Sequence, residues 1–198
     1  RRRLILRGTA IPDAERPRAL AALASYDRWW HDEFSREHDH FRLLGQDNIR
    51  RYLPVESLCI RCEPGDSWFD LFGRLAVAIT AGCPNVRISI GPACAVRLRD
   101  LRALVSDWPQ LHFSEEDESV LCNDIAARRI ARIRYATPER VSENIRRAAS
   151  GAFVDLIDTP VLAEGRIELL WSLREQSISH DYHRYGNLGA RAQEPRSD

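Results

Sequence analysis

From Leu53 to Leu173 short apolar runs alternate with longer amphipathic ones, and that rhythm leaves few folds open. Leu58-Cys59-Ile60-Arg61-Cys62, Val86-Arg87-Ile88-Ser89-Ile90, Leu111-His112-Phe113 and residues 130–135 read as strands. Between them, Trp68, Phe72, Leu75 and Ile79 recur at helical spacing up to Gly82, and Leu101, Leu104, Val105 and Trp108 mark a second helix. Ser114-Glu115-Glu116-Asp117 has a capping-box pattern ahead of Leu121 and Ile125. Thr137-Pro138-Glu139 opens a helix carrying Val141 and Ile145, with Gly151 at its end. Residues 153–157 and 160–163 read as short extended pieces, and 166–174 as a last helix with Ile167, Leu170 and Trp171 inward. Strands alternating with helices predict an α/β fold, a three-layer Rossmann-like arrangement around a mostly parallel sheet.

The flanks follow other rules. Residues 1–11 are basic and irregular, and 12–52 are expected to form an N-terminal helical segment. Pro12-Asp13 suits a helix start, and Leu23, Tyr26, Trp30 and Phe34 share one helical face. Residues 36–48 are highly polar, with His38, Asp39 and His40 close together and Gly45 as the stop. The α/β domain is expected over 53–173, an extended C-terminal segment over 174–189 and a disordered tail over 190–198.

Charge and composition remove several function classes. Twenty-nine basic residues balance 29 acidic ones, so no net field draws the chain to nucleic acid or to an anionic membrane. Arg128-Arg129 and Arg146-Arg147 read as solvated faces. No apolar run approaches the ~18 residues that span a bilayer. Every basic residue other than His is Arg, which excludes Schiff-base chemistry, a lysine base and a P-loop lysine. The absence of Met predicts a processed piece or fragment of a longer chain. Five scattered cysteines do not make a disulfide framework, and a reducing cytoplasm is the expected compartment.

The candidate chemistry is sparse. Cys59 and Cys62 form a CxxC, but on a strand they point to opposite faces, and no second pair follows to complete a zinc site. His180 and His183, with Asp181, lack a third metal ligand placed by spacing. Cys94 follows a strand near a helix N-terminus, where a thiolate is stabilised; it is the one candidate nucleophile, against a reading as a small structural thiol. A dinucleotide needs a glycine-rich turn that offers backbone N–H groups to a pyrophosphate. Gly91-Pro92-Ala93-Cys94-Ala95 has one Gly and a Pro without an N–H, while Glu63-Pro64-Gly65-Asp66 and the turn after Phe113 carry acids. No cofactor or metal is therefore expected on this chain.

The most distinctive stretch is 174–189. Arg174, Glu175, Gln176, Ser177, His180, Tyr182, His183, Arg184, Tyr185 and Asn187 bond or stack readily, Gly186 and Gly189 permit close approach, and little aliphatic material is offered to a core. Such a segment is built to dock. The run Arg-Glu-Gln-Ser-Ile-Ser-His-Asp-Tyr-His-Arg-Tyr-Gly-Asn-Leu-Gly closely resembles the C-terminal motif of the proline utilization A family, bifunctional bacterial enzymes joining proline dehydrogenase to L-glutamate-γ-semialdehyde dehydrogenase. Gly45-Gln46-Asp47-Asn48, Arg51-Tyr52-Leu53-Pro54-Val55 and Pro160-Val161-Leu162-Ala163-Glu164-Gly165-Arg166-Ile167-Glu168-Leu169-Leu170 look like segments of the extra C-terminal domain of the longer members. The resemblance extends over roughly residues 20–190. It implies a non-catalytic aldehyde-dehydrogenase-like domain that packs on the semialdehyde dehydrogenase module and helps enclose a substrate-channelling cavity. FAD and NAD would then belong to the dehydrogenase modules of the parent enzyme. The rival readings are an active NAD(P)-dependent aldehyde dehydrogenase fragment using Cys94, and a stand-alone small-ligand binding module.

Overall fold

The computed structural model describes residues 11–94, 102, 108–183 and 186–194. Helix α1 (Arg16–Trp29) has Pro17 in its first turn and runs on into a π-turn, Trp30–Phe34. Strand β1 (Gln46–Pro54) leads to β2 (Leu58–Cys62), helix α2 (Trp68–Ala81) and β3 (Val86–Ile90). Then come β4 (Leu111–Glu115), α3 (Glu118–Ala126), β5 (Arg132–Arg134), α4 (Glu143–Ala152) and β6 (Asp155–Ile157). A single helical turn α5 (Gly165–Glu168), a 3-10 turn (Leu169–Ser172) and β7 (Leu173–Asp181) follow. The expected helix through Leu101, Leu104 and Val105 lies outside the described residues, apart from the helical Arg102.

Strands β4-β3-β2-β5-β6 form a five-stranded sheet, and every neighbouring pair in it is parallel. The chain starts in the middle, steps outward to β4, then returns to the other side of β2. Alternation along the strands divides the core. Leu58, Ile60, Val86, Ile88 and Ile90 join Tyr26, Phe69, Phe72 and Leu75 of α1 and α2 in one cluster. Cys59 and Ile133 join Leu121, Ile125, Ile145 and Ala149 of α3 and α4 in the other. A parallel sheet needs both faces covered, and these two layers cover it. The expected three-layer α/β architecture is what forms.

Local differences have local causes. The functioning capping box belongs to α2: Ser67 Oγ accepts from Asp70 N at 3.0 Å, and Asp70 Oδ2 accepts from Ser67 N at 2.9 Å. Ser114 instead lies inside β4, where it is opposite Ser89 of β3, and α3 starts after Asp117. Pro138–Arg140 make only a 3-10 turn; Arg140 reaches across to Asp66, and α4 starts afresh with Ser142 as its cap. The last helix is a four-residue turn that tightens to 3-10, which changes its phase: Leu169 and Glu168 are buried, whereas Ile167 and Leu170, expected inside, are exposed. Gly165 abuts α1, since a Cβ there would meet Ser25 O at 2.6 Å.

The larger correction concerns residues 46–52, expected in the N-terminal helical segment, and the start of the next domain at 53–54. They form β1, which pairs antiparallel with β7 in a separate two-stranded ribbon running from Gln46↔Asp181 to Pro54↔Leu173. The C-terminal segment is thus a strand whose partners lie 119 to 135 residues away, and a helical reading of residues 46–52 has no access to them. The tail is also packed further than expected. Arg191 forks onto Asp47 at 2.8 and 3.3 Å, bonds Glu194 at 2.7 Å and lies 4.0 Å over the Tyr182 ring.

Candidate functional site

Two regions stand out, and both follow from the topology. In a sheet of this order the crevice lies at the C-terminal ends of β2 and β5, where the strand order reverses. Side chains of the chain itself occupy it. Asp66, from the turn after β2, is buried to 1 % exposure and accepts from Arg74 at 2.5 Å and from Arg140 at 3.0 Å. Arg140 also donates to Gly65 O at 2.6 Å, and its guanidinium lies so close that a Cβ on Gly65 would sit 2.5 Å away. The N-terminus of α2, which could meet an anion, is taken by Glu15, whose carboxylate accepts from Phe69 N at 2.7 Å. Two carboxylates therefore stand where a pyrophosphate would approach.

Arginines tie this crevice into the body. Arg74 donates to the carbonyls of Asp70, Arg61 and Arg134 at 2.8, 2.6 and 3.3 Å. Arg61 spans Glu63, Ser89 and the Glu116 carbonyl. Arg134 pairs with the buried Glu168 at 2.9 Å, and burial pulls its guanidinium pKa down while Glu168 opposes the shift. Glu168 in turn accepts from Leu162 N, whose carbonyl takes the Tyr26 hydroxyl at 2.5 Å. Burial pushes that hydroxyl's pKa well up.

The ribbon is the second region. At ~3.4 Å per residue its strands are about 27 Å long. Every residue of β7 from Arg174 to Asp181 is exposed except Gln176, which accepts from Arg51 Nε at 2.7 Å. The outer edge of β1 is covered in part: His38 and Arg50 exchange backbone hydrogen bonds, Glu33 pairs with Arg50 at 2.7 Å, and Phe34 meets Tyr52 edge-on at 4.8 Å. Burial raises the Tyr52 pKa, with Glu175 across the ladder adding to the shift against Arg50.

The edge of β7 is different. Val55 N donates to Ser172 O and Tyr182 N to Gly45 O, so the bonded pairs fall on the even-numbered residues of β7. The backbone groups of Glu175, Ser177, Ser179 and Asp181 consequently face away from β1. Among the other residues singled out in the sequence, His180 lies 3.9 Å from Asp47, His183 Nδ1 is 3.1 Å from Gly45 O, and Asn187 accepts from Gly189 N at 2.8 Å. Gly186 and Gly189 both have positive φ. Arg184 and Tyr185 lie outside the described residues.

No protein-family model matches the sequence, and no curated protein matches it. Solved structures do. Proline utilization A from Corynebacterium freiburgense is 27 % identical over 89 % of this chain and 15 % of its own, with a TM-score of 0.56. The chain folds as an aldehyde-dehydrogenase-like domain of the kind found in proline utilization A. A second proline utilization A, with proline bound in remote sites, shares 20 % identity over 78 % of this chain and 17 % of its own (TM-score 0.56). Betaine aldehyde dehydrogenase from Staphylococcus aureus shares only the fold, at 11 % identity over 77 % of this chain and 33 % of its own (TM-score 0.57). The aldehyde-dehydrogenase-like domain thus spans about a sixth of the proline utilization A chains it matches.

Within this domain Cys94 is 8 % exposed, in the 3-10 turn Pro92–Cys94, with its N–H on Gly91 O at 2.8 Å. Cys59 and Cys62 fall in opposite core clusters, as period-two alternation requires, and burial pushes both thiols up to about 12. Among the described residues no group of three or more His, Cys, Asp or Glu converges on a metal position, and no helix is long and apolar enough to cross a membrane. A shallow groove of about 510 Å³ between α3 and α4 is lined by Glu118, Cys122, Asn144 and Arg147. The paired arginines lie on solvated surface: Arg129 meets Asp124, Arg146 meets Asp158, and Arg147 approaches Glu143.

Glu15 and Arg140 were not legible as site residues, because each acts on a partner far away in sequence. The only local hint was the acidic turn Glu63-Pro64-Gly65-Asp66.

Proposed function

We propose that this chain is a non-catalytic domain of a bifunctional, cytoplasmic bacterial enzyme that oxidises proline to glutamate. In this reading it packs on the semialdehyde dehydrogenase module, and the β1–β7 ribbon with the following residues 182–189 helps close the cavity through which the intermediate passes. FAD and NAD act in the other modules. The observation that carries the reading is the exposed ribbon: among the described residues, none is seen to pair with the outward-facing backbone of four alternate residues of β7. An open edge of this length is a liability in a finished surface, and a strand or loop of an adjacent module would satisfy it. The side chains there suit a wet, specific contact: Arg174 can fork onto carboxylates or carbonyls, and Tyr182 supplies area at small entropic cost. The filled crevice supports the non-catalytic half of the proposal, since opening it would strip Asp66 of two guanidinium partners.

The test is truncation after Leu173 in the parent enzyme, with each half-reaction measured alone and then coupled. Intact half-reactions with a new lag in the coupled reaction are expected. Coupling without a lag in a folded truncation variant refutes the lid role.

A further inference from the structure

We propose that Arg132 is the positioning residue that fixes the direction of the ribbon relative to the sheet. Arg132 is on β5, in the body, and its side chain is 13 % exposed. One nitrogen, Nη1, is directed at three carbonyls at the root of the ribbon: Leu170 at 3.3 Å, Trp171 at 3.1 Å and Leu173 at 2.9 Å. Its other nitrogens, Nε and Nη2, bond Asp155 Oδ2 on the adjacent strand β6 at 3.2 and 2.9 Å. One planar group therefore connects two strands of the sheet to the point where β7 leaves it.

The position of the contact matters. Leu173 is an odd-numbered residue of β7, so its carbonyl faces away from β1, on the same edge as those of Glu175, Ser177, Ser179 and Asp181. Arg132 takes the first acceptor of that edge, and no bond to the others is seen among the described residues. The opposite side of the root is held independently: Val55 N and the Cys83 thiol both donate to Ser172 O, at 3.0 and 3.5 Å. With both sides tied, the ribbon is clamped. With Arg132 removed, the outer side of β7 loses its polar tie to the sheet, and the segment beyond the buried Ser172 and Leu173 is freed on that edge. A two-stranded ribbon has little stability or stiffness of its own, so its direction comes from its ties to the body: residues 33–38 hold β1, and the root holds β7. Lys is a poor replacement, because a single ammonium lacks the fork that serves a carboxylate and a row of carbonyls together.

This inference rests on the proposed docking role for its consequence, but its geometry can be measured separately. A nitroxide pair is placed on Ser179→Cys in β7 and on the native Cys122 of α3, the one cysteine of the five that is not buried. In the otherwise native chain the pair gives one narrow distance distribution. In Arg132→Gln the distribution widens roughly twofold or more, as expected for a segment freed at one edge. Asp155→Asn, at a carboxylate 61 % exposed, loosens the same clamp from the far side without touching the carbonyls, and widens it less. An unchanged width in Asp155→Asn and in a folded Arg132→Gln overturns the proposal. In the parent enzyme, Arg132→Gln should lengthen the coupling lag while sparing both half-reactions. A lag after truncation at Leu173 but none in Arg132→Gln refutes the positioning role alone, and no lag in either refutes the docking reading.

Discussion

Asp66→Ala is the sharpest test of the filled crevice. The side chains of Asp66 and Arg74 are 1 % and 0 % exposed, so the substitution strands a guanidinium that water cannot reach. Removing one partner of a buried pair costs about 3–5 kcal/mol. Arg74 keeps its three carbonyl acceptors, which places the loss toward the lower end. For a chain of this size each kcal/mol moves Tm by roughly 2–4 °C, so a fall of roughly 6–20 °C is expected. Urea denaturation followed by circular dichroism gives the free energy directly. Arg140→Ala is the control: its guanidinium is 24 % exposed, and about 1 kcal/mol is expected from the loss of its hydrogen bonds. Replacing both buried partners, as Asp66→Ala with Arg74→Met, should cost less than Asp66→Ala alone, because no fully buried charge is left unpaired and Arg140 is partly exposed. A loss below about 1 kcal/mol for Asp66→Ala, or a double variant worse than the single, would refute the buried-pair account.

Four further outcomes are expected. Calorimetric titration of the chain with NAD should show no saturable binding at micromolar affinity, and a micromolar isotherm would mean that the crevice opens. Cys94→Ser in the parent enzyme should leave aldehyde oxidation nearly intact, because Cys94 is a buried thiol in a turn; a loss of several orders of magnitude would identify a covalent nucleophile. A maleimide at pH 8 should modify Cys122 well before Cys59, Cys62 or Cys83 in the folded chain, since burial raises the last three to about 12, 12 and 11 and keeps them protonated. Arg87, joined by Arg129, holds the Asp124 carboxyl below its usual range, so its contribution is present above the ordinary carboxylate pKa and lost as pH falls through the lowered folded value; Asp124→Asn should flatten the acid limb of a stability–pH profile, and an unchanged limb would remove Asp124 from that balance.

Several features were legible because their cause is local. The strands at Leu58–Cys62 and Val86–Ile90, and helix α2 up to Gly82, follow from apolar periodicity, and a run of such units can close only as a layered α/β sheet. The opposite placement of Cys59 and Cys62 follows from the pleat alone. The acidic turn at Glu63-Pro64-Gly65-Asp66 was visible as such, and its Asp66 is the carboxylate that Arg74 and Arg140 meet. The polar and aromatic make-up of residues 174–189 was readable as composition, which reports what side chains can do but not what the backbone pairs with.

What only the tertiary structure decided involves partners distant in the chain. Nothing near Gln46–Pro54 announces a strand; β1 exists because β7 arrives beside it, and neither strand has a ladder until both are present. Asp66 and Arg140 are 74 residues apart, Glu15 and Phe69 are 54 apart, and Arg132 meets the root of β7 across 41. A hydrophobic pattern fixes which face of an element turns inward, because burial is a property of each residue in turn. Which guanidinium reaches which carboxylate or carbonyl depends on how the closed sheet sets those elements side by side, and no periodicity along the chain carries that distance.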